Sequence, residues 1–483
     1  MRRIITLLFL IGIIVGITIP AYSSVENVKV GGDFTIYGAY RHDFSFTNNY
    51  KTNDFLQSSV RVWVSAQLSN NVSTMIRLIN ERDWGQSIGE IQFPDPSNGN
   101  VTLDLAYVKI ITPTCYSITI GRQDLKIGQG FVIGSQYNAV NYNSGQPGFG
   151  GSGGVADLLA PDLGLQKSFD AIKIDYKDEI LPLSGQAFVA KINGNSTSNA
   201  TPPLANNNDV DLYGLSLLYA PTNWSIEPYI IDEYNYGYQA TMNPNPPPTE
   251  ILPYAVPNSD SSLSAAGLRG TLKIPSAPGL SFKGEYAKQF GTDEQQYQSY
   301  EGWAGYIGGK YIFQTTMKPY IDLQYSLYSG QTPGNANIKA WQPMYPSGLS
   351  SQFGAIGYPA VWAMLYGGQG FNGATQYYAP YYPGVKVAKI GIGFQPLTRL
   401  AVYINYYNLS LDKKLPAIGL GTVTSDSVGN ELDLGLNYAY SQDVNFGLTV
   451  GQLFRGDYIK DYLANGMTTD DPWEALGSMT VSF

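Results

Sequence analysis

Most of the chain repeats one pattern, in which about ten residues of alternating polarity are followed by a connection and then by about ten more. Residues 59–68 show the alternation clearly. One face carries polar or bulky side chains and the other carries apolar ones, namely Arg61, Trp63, Ser65 and Gln67 against Val60, Val62, Val64, Ala66 and Leu68. A period of two residues is typical of a β-strand with two different faces. The pattern therefore predicts a protein built from strands.

The connections between these runs alternate in length. The short connections are 69–71, 112–115, 177–182, 220–223, 275–279, 314–318, 396–398 and 441–443. The long connections are 85–100, 128–168, 193–208, 240–259, 291–299, 331–383, 412–428 and 456–471, and an open first hairpin loop lies near 47–54. Short turns at one end and long loops at the other are typical of outer-membrane barrels. We therefore predict an all-β fold, a transmembrane antiparallel up-and-down β-barrel of about 18 strands.

The two faces of each strand can be assigned to lipid and to lumen. In residues 430–438 the apolar set Leu432, Leu434, Leu436 and Tyr438 alternates with Glu431, Asp433 and Asn437. In a membrane barrel the apolar face meets lipid and the polar face meets the interior. Small and polar residues on the inner face leave room, so the pattern predicts a water-filled lumen.

Both ends of the chain carry signals for export and assembly. Arg2 and Arg3 precede an apolar run, 4–19, and then small residues, which predicts a signal peptide over 1–23 and a barrel over 24–483. No later stretch approaches the length and hydrophobicity of a membrane helix. The last residues, PWEALGSMTVSF, alternate in polarity and end on Phe483, which resembles the signal read by the outer-membrane barrel assembly machinery. The alternative is an ordinary edge strand that ends in phenylalanine by chance.

Composition excludes several classes of function. The 483 residues carry a formal net charge of −9, and removing the signal peptide removes two arginines and no acid, so a nucleic-acid partner is not expected. The single cysteine, Cys115, permits no disulfide within the chain. The single histidine, His42, leaves metal and triad chemistry short of its commonest residue. We predict no cofactor, no metal ion and no enzymatic activity.

In the segment 116–127 the apolar side chains switch from even-numbered to odd-numbered positions. Tyr116, Ile118 and Ile120 are apolar at even positions, whereas Leu125 and Ile127 are apolar at odd ones. A β-bulge supplies the one extra residue that such a change needs, and glycine accepts the backbone conformation that a bulge can require. We predict a bulge at Gly121, which turns Arg122, Asp124 and Lys126 into the lumen; a simple strand irregularity is the alternative.

The same segment resembles a known family. GRQDLKIGQGFVIG (121–134), KSFDAIKIDY (167–176) and NELDLGLNYAYSQDVNFGLTVGQLFRGDYI (430–459) are similar to segments of the alginate-export family of outer-membrane porins. The resemblance implies an outer-membrane barrel of eighteen strands whose arginine-rich lumen exports an anionic polysaccharide. Carried over to this chain, it implies that Arg122, Asp124 and Arg455 line the pore. It also implies a long periplasmic plug, where this chain has only the short connection 441–443.

The alternation of side chains along each strand also assigns charged residues to the lumen, without use of the family resemblance. The basic candidates are Arg41, Arg61, Arg77, Arg122, Lys126, Lys173, Arg269, Lys283, Lys310, Lys389 and Arg455, and the acidic ones are Asp33, Glu81, Asp104, Asp124, Asp175, Glu227, Glu285, Asp322, Glu431 and Asp433. From these sets we select the pore-lining candidates Arg61, Arg77, Arg122, Asp124, Lys126, Arg269, Lys310, Lys389 and Arg455. A fixed ring of cations favours anionic solutes. The alternative is that the charges pair across strands and only keep the lumen hydrated.

Two long connections are notable, 128–168 and 331–383. The second is rich in Tyr, Gly and Pro and is too long for an ordinary connection. Three arrangements are open for this connection: it folds into the pore as a constriction, it caps the barrel, or it presents aromatic rings to sugars.

The predicted function is an outer-membrane channel for a hydrophilic, anionic oligo- or polysaccharide. Its partners would be outer-membrane lipid, the assembly machinery and the solute. The alternatives are a general or substrate-specific uptake porin for small solutes, a barrel enzyme that uses His42, and a surface-binding barrel that does not conduct.

Overall fold

The computed structural model describes residues 26–44, 52–84, 101–136, 163–193, 209–236, 260–293, 298–331, 335–347, 349–362, 365, 383–414, 425–463 and 470–483. The predicted signal peptide, 1–23, and most of the long connection 128–168 lie outside these residues.

The described residues form one antiparallel sheet of 19 strands. The strands are β1 (Glu26–His42), β2 (Thr52–Ser69), β3 (Val72–Asp83), β4 (Val101–Ile111), β5 (Tyr116–Gln123), β6 (Phe169–Lys177), β7 (Leu183–Asn193), β8 (Val210–Tyr219), β9 (Trp224–Asn235), β10 (Ser261–Lys273), β11 (Leu280–Asp293), β12 (Gln298–Ser299), β13 (Trp303–Ile312), β14 (Tyr320–Tyr328), β15 (Val385–Leu397), β16 (Leu400–Leu411), β17 (Ser427–Ala439), β18 (Val444–Arg455) and β19 (Trp473–Ser482). The two-residue β12 pairs only with the end of β11 and is not a separate strand of the wall, because β11 also pairs directly with β13. The remaining 18 strands close into a barrel, as predicted.

The first and last strands close the wall. β1 pairs with β19 from Asp33 opposite Ser482 to His42 opposite Trp473, and β1 also pairs with β2. At the end of this seam, Phe483 N–H donates to the Gly32 carbonyl at 3.0 Å and Gly32 N–H donates to the Phe483 carbonyl at 2.9 Å. Every strand of the wall therefore has two neighbours.

Strand alternation sorts the side chains as predicted. In β17, Leu432 and Leu434 are 45% and 47% exposed on the outer face, while Glu431 is fully buried on the inner face. Val62 and Val64 of β2 are likewise exposed outside. The apolar outer belt is the surface that lipid covers.

The connections alternate in length as predicted. We call the barrel end with the short connections the turn side and the other end the loop side. In outer-membrane barrels the turns are periplasmic and the loops external. The helices of the described part, Ser350–Phe353, the π-helical Gly357–Trp362 and Asp457–Leu463, all belong to loop-side connections. None of the helices in the described ranges has the length and apolar character needed to span a membrane.

The bulge predicted at Gly121 is wrong. β5 runs from residue 116 to 123 against both neighbours without a register shift, with Arg122 opposite Ala106 of β4 and Asp170 of β6. The shift lies instead between β3 and β4, where Arg77 faces Leu105 and Leu78 faces Leu103. The apolar side chains switch from even to odd positions after Gln123 because β5 ends there and the chain leaves the barrel wall.

The chain enters the barrel interior at two places on the loop side. The first is 124–136, which follows β5 and buries Leu125, Ile127 and Phe131. The second is the described part of 335–365, which buries Trp341, Phe353 and Trp362. We call these the first and second inward segments. Of the three arrangements considered for 331–383, the described part adopts the one that enters the pore.

Candidate functional site

The two inward segments are joined by backbone hydrogen bonds. Ile133 and Tyr345 form a parallel bridge, in which Tyr345 N–H donates to the Val132 carbonyl at 3.0 Å and Gly134 N–H donates to the Tyr345 carbonyl at 2.7 Å. Ser347 N–H donates to the Gly130 carbonyl at 2.7 Å. The two segments therefore form one unit, which we call the plug.

An aromatic core attaches the plug to the wall. Phe131 stacks with Trp341 at 6.1 Å between ring centroids and contacts Tyr328 of β14 at 5.6 Å. Tyr328 also contacts Phe353 at 5.6 Å and Trp362 at 5.0 Å. Aromatic pairs at these separations add to the free energy of burying the rings. The plug is therefore a packed structure inside the barrel.

Two carboxylates of β17 hold the second inward segment by its backbone. Glu431 accepts hydrogen bonds from the N–H groups of Ile356 and Gly357, each at 2.8 Å. Asp433 accepts one from Ala355 N–H at 3.0 Å. We call this arrangement the carboxylate latch.

The glycine beside the latch is required by geometry. Gly354 has φ +95°, and a Cβ at this position would collide with the Glu431 carboxylate. A side chain at residue 354 would therefore push the backbone away from its acceptors.

Further polar contacts fix the plug at other strands. Gln289 of β11 donates to the Gln342 carbonyl at 2.6 Å and accepts from Gln342 N–H at 2.9 Å. Tyr345 is hydrogen-bonded to Glu233 of β9, and burial raises the pKa of the Tyr345 hydroxyl well above its usual value. Tyr345 is therefore a neutral donor at physiological pH. The plug is held on several sides of the barrel.

The arginines predicted to line the pore are paired with carboxylates. Arg61 lies 2.8 Å from Asp33, and Arg77 lies 2.5 Å from Asp104, whose side chain is fully buried. Removing one partner of a buried pair leaves an uncompensated charge and costs about 3–5 kcal/mol. These two arginines lie in the lumen wall, and their charges are already neutralised.

Arg269 and Arg455 are paired in the same way. Arg269 lies 3.0 Å from Glu227, and Arg455 lies 3.0 Å from Asp471. The side chain of Arg455 is only 5% exposed. It therefore offers little surface to a solute.

Arg122 is the one predicted pore residue that faces outward. Phe169 and Ala171 of β6 are buried on the inner face, so Asp170 between them lies on the outer face. Arg122 is directly opposite Asp170 and lies 3.0 Å from its carboxylate. The assignment of Arg122 to the lumen is corrected accordingly, because the bulge that would have turned it inward does not exist.

Lysines provide the cations that remain available in the lumen. Lys283 of β11, Lys310 of β13 and Lys389 of β15 each lie over a tyrosine ring, those of Tyr306, Tyr320 and Tyr407 respectively. Lys389 lies 3.2 Å from Asp322. Within the described part of the chain, Lys283 and Lys310 form no ion pair. We call these three residues the lysine cluster. Asp322 lies near all three, and Asp433 of β17 also interacts with Lys389.

A second basic group lies beside the first inward segment. Burial lowers the pKa of Lys167, and the charge of Lys126 lowers it further. Asp124 lies close to both and is 3.8 Å from the Arg77 guanidinium. Asp124 and Lys126 follow the end of β5, in the first inward segment.

The structure thus separates the predicted residues into two groups. Arg61, Arg77, Arg269, Arg455 and Lys389 are paired with carboxylates, whereas Lys126 and Lys310 form no ion pair within the described residues. Sequence reasoning offered entry of 331–383 into the pore as one of three arrangements, but it missed the first inward segment and the latch. It included Glu431 and Asp433 only as acidic wall residues, and the one signal for the plug was the length and composition of 331–383.

Comparison with known proteins gives a family and a fold. A family model described as "Alginate export" matches residues 165–469, more than half of the chain. The motif at 121–134 lies before this range. A search of curated proteins finds no match.

Solved structures with the same fold are outer-membrane-type barrels of low sequence identity. OccK11 (OpdR) of Pseudomonas aeruginosa is 11% identical, with TM-score 0.51 and coverage of 95% of this chain and 97% of that one. OpdO of the same organism is 11% identical, with TM-score 0.51 and coverage of 96% and 98%. OpdQ is 12% identical, with TM-score 0.50 and coverage of 95% and 98%. These similarities establish the fold alone.

The carboxylate latch predicts how the plug can be loosened. Glu431→Gln replaces one acceptor oxygen by an N–H₂ group that faces a backbone donor. Each buried N–H left without an acceptor costs about 1–3 kcal/mol. We expect single-channel recordings of the variant to show higher mean conductance and more frequent transitions than the parent channel.

Asp175→Asn is the matched control, because it removes one lumen carboxylate that pairs with Lys173 at 3.3 Å. It should leave mean conductance near the parent value. Equal conductance of Glu431→Gln and the parent, with both barrels folded, would show that the latch does not hold the plug.

Proposed function

The chain belongs to the alginate export family and forms a channel in the outer membrane of a Gram-negative bacterium, and we propose that its solute is an anionic oligo- or polysaccharide. The observation that carries this proposal is the lysine cluster. Three ammonium groups lie near two carboxylates, those of Asp322 and Asp433, and this local excess of positive charge supports an anionic solute. Fixed cations in a narrow aqueous pore attract anions.

The tyrosines beside the lysines favour a sugar as the solute. Lys310 Nζ lies 3.8 Å from the centroid of the Tyr320 ring, so a cation and an aromatic face occur together. Aromatic faces pack against the apolar faces of sugar rings, while an ammonium group attracts a carboxylate. A polysaccharide with acidic sugars offers both features at every residue.

The plug sets a condition on this function. It fills part of the loop-side lumen with a packed aromatic core. A polymer that spans the channel therefore requires the plug to move, and the carboxylate latch is the contact that such a movement must break. We propose a gated channel rather than an open one.

Uptake of small anions is the second candidate function. The plug favours it, because a narrowed lumen admits small solutes without rearrangement. The two candidates differ in the dependence on solute length: a polymer channel interacts more strongly with longer chains, and an uptake porin for small solutes does not.

An enzymatic barrel is the weakest alternative. His42 lies at the loop-side end of the β1–β19 seam, opposite Trp473, which faces outward. It is on the other face of β1 from the inward-facing Arg41. The lysine cluster is therefore the better candidate for solute contact.

The lysine cluster predicts the ion preference of the channel. Replacing Lys283, Lys310 and Lys389 together by Gln removes the positive excess while leaving the arginine pairs intact. We expect the permeability ratio of anions to cations, measured as reversal potential across a salt gradient, to fall by at least about threefold.

Lys288→Gln is the matched control, since Lys288 is on the same strand as Lys283 but opposite the outward-facing Trp303. It should leave the reversal potential unchanged. An unchanged reversal potential in the triple variant, with an intact barrel, would remove the support for an anionic solute.

We also propose that Phe483 is read by the barrel assembly machinery. Its ring is 71% exposed, so it contributes little packing to the finished barrel. Its backbone, in contrast, makes two hydrogen bonds to Gly32. The effect of the Phe483 ring on assembly can therefore be measured separately from the effect of its backbone hydrogen bonds on stability.

Phe483→Ala tests this separation, because it removes the ring and keeps both backbone bonds. We expect less folded protein in the outer membrane but an unchanged melting temperature of the refolded barrel. Phe483→Tyr keeps an aromatic end and should assemble like the parent protein. Normal accumulation of Phe483→Ala in cells would contradict the proposal.

A further inference from the structure

Three side chains meet at the loop-side end of the seam that closes the barrel. His42 is the last residue of β1, Asp43 follows it, and Asp470 precedes β19. Across the described ranges, this is the one group in which His, Cys, Asp or Glu side chains bring three ligand atoms within 4.8 Å of one another. The sequence predicted no metal site because it contains a single histidine, and only the closure of the barrel brings Asp470 to it.

The distances suit a small metal ion. His42 Nε2 lies 3.2 Å from Asp43 Oδ2 and 3.8 Å from Asp470 Oδ2. Zinc binds nitrogen and oxygen at about 2.0–2.2 Å in tetrahedral geometry, so two of its ligand atoms lie about 3.4 Å apart. The two distances fall on either side of this value.

The charges of the group suit a cation. Two carboxylates lie around the same imidazole nitrogen. The Asp43 side chain is fully buried, so water does not screen its charge directly, while Asp470 is 51% exposed and leaves a path from solvent. Both carboxylates would attract a cation placed between the three atoms.

The surrounding residues hold the ligands in place. His42 is paired with Trp473 in the β1–β19 register, and the two rings lie 6.5 Å apart. Asp43 adopts a left-handed backbone conformation, φ 55°, and its carboxylate lies beside the histidine.

We propose that His42, Asp43 and Asp470 form a zinc site that joins the first and last strands of the barrel. One imidazole and two carboxylates suit Zn²⁺ better than Ca²⁺, which prefers an all-oxygen set. Water completes the tetrahedron. The proposal does not depend on the proposed solute.

A metal at this position would stabilise the seam. It binds only when β1 and the segment before β19 are adjacent, so it favours the closed barrel over the unfolded chain. The gain in stability should grow with free metal concentration.

Zinc titration of the chelator-treated, folded barrel tests the site. We expect one Zn²⁺ per chain by calorimetry, an increase in the melting temperature with added Zn²⁺, and visible absorption bands of tetrahedral Co²⁺ when Co²⁺ replaces Zn²⁺. His42→Gln keeps an N–H donor beside the carboxylates but removes the imidazole ligand. It should weaken Zn²⁺ binding by more than about 100-fold, since loss of an outer contact alone costs about 10–100-fold.

Asp443→Asn, in the turn at the opposite end of the barrel, is the matched control and should bind Zn²⁺ like the parent. Absence of stoichiometric binding in the parent would overturn the proposal. Equal affinity in the parent and His42→Gln would also overturn it, and would identify the group as a histidine hydrogen-bonded to two acids.

Discussion

The closure of β1 against β19 is the constraint on which the rest of the structure depends. No water is available in the hydrocarbon to bond to the backbone, so each strand in the membrane needs a partner on both sides. Closure satisfies this need from Asp33 opposite Ser482 to His42 opposite Trp473. It also creates an enclosed lumen, and only inside that lumen can the loop-side chain bury Trp341 and Trp362.

The wall could be predicted from the sequence because its period of two residues is local. Strand number, connection lengths and the outward side of Leu432 and Leu434 followed from it. The length of 331–383 left entry into the pore as one of three arrangements. The packing of the plug could not be predicted, because its apolar residues pack against inner faces of strands far away in sequence, as Phe131 does with Tyr328. Arg122 was misplaced for a related reason: the parity change marked the end of β5, and no local signal separates a strand end from a bulge.

The charges of the lumen have two different roles. The arginines are held by neighbouring carboxylates, as Arg77 is by Asp104, and their loss would leave buried charges without partners. Two lysines carry charges that no ion pair neutralises, since Lys283 and Lys310 form no ion pair within the described ranges. The alternative of paired wall charges describes the arginines, and the cationic pore stays a proposal that rests on the lysines. Solute recognition is expected at the lysines and structural support at the arginines.

The central claim is that the lysine cluster attracts an acidic sugar polymer. Current blockade of the parent channel in planar bilayers tests it most directly, with polyuronate fragments compared with neutral glucan fragments of the same length added on the turn side. The account predicts blockade by polyuronate at much lower concentration, with weaker blockade as salt rises, because salt screens the lysine charges. Equal blockade by the neutral fragments, or polyuronate blockade that salt does not weaken, would contradict it.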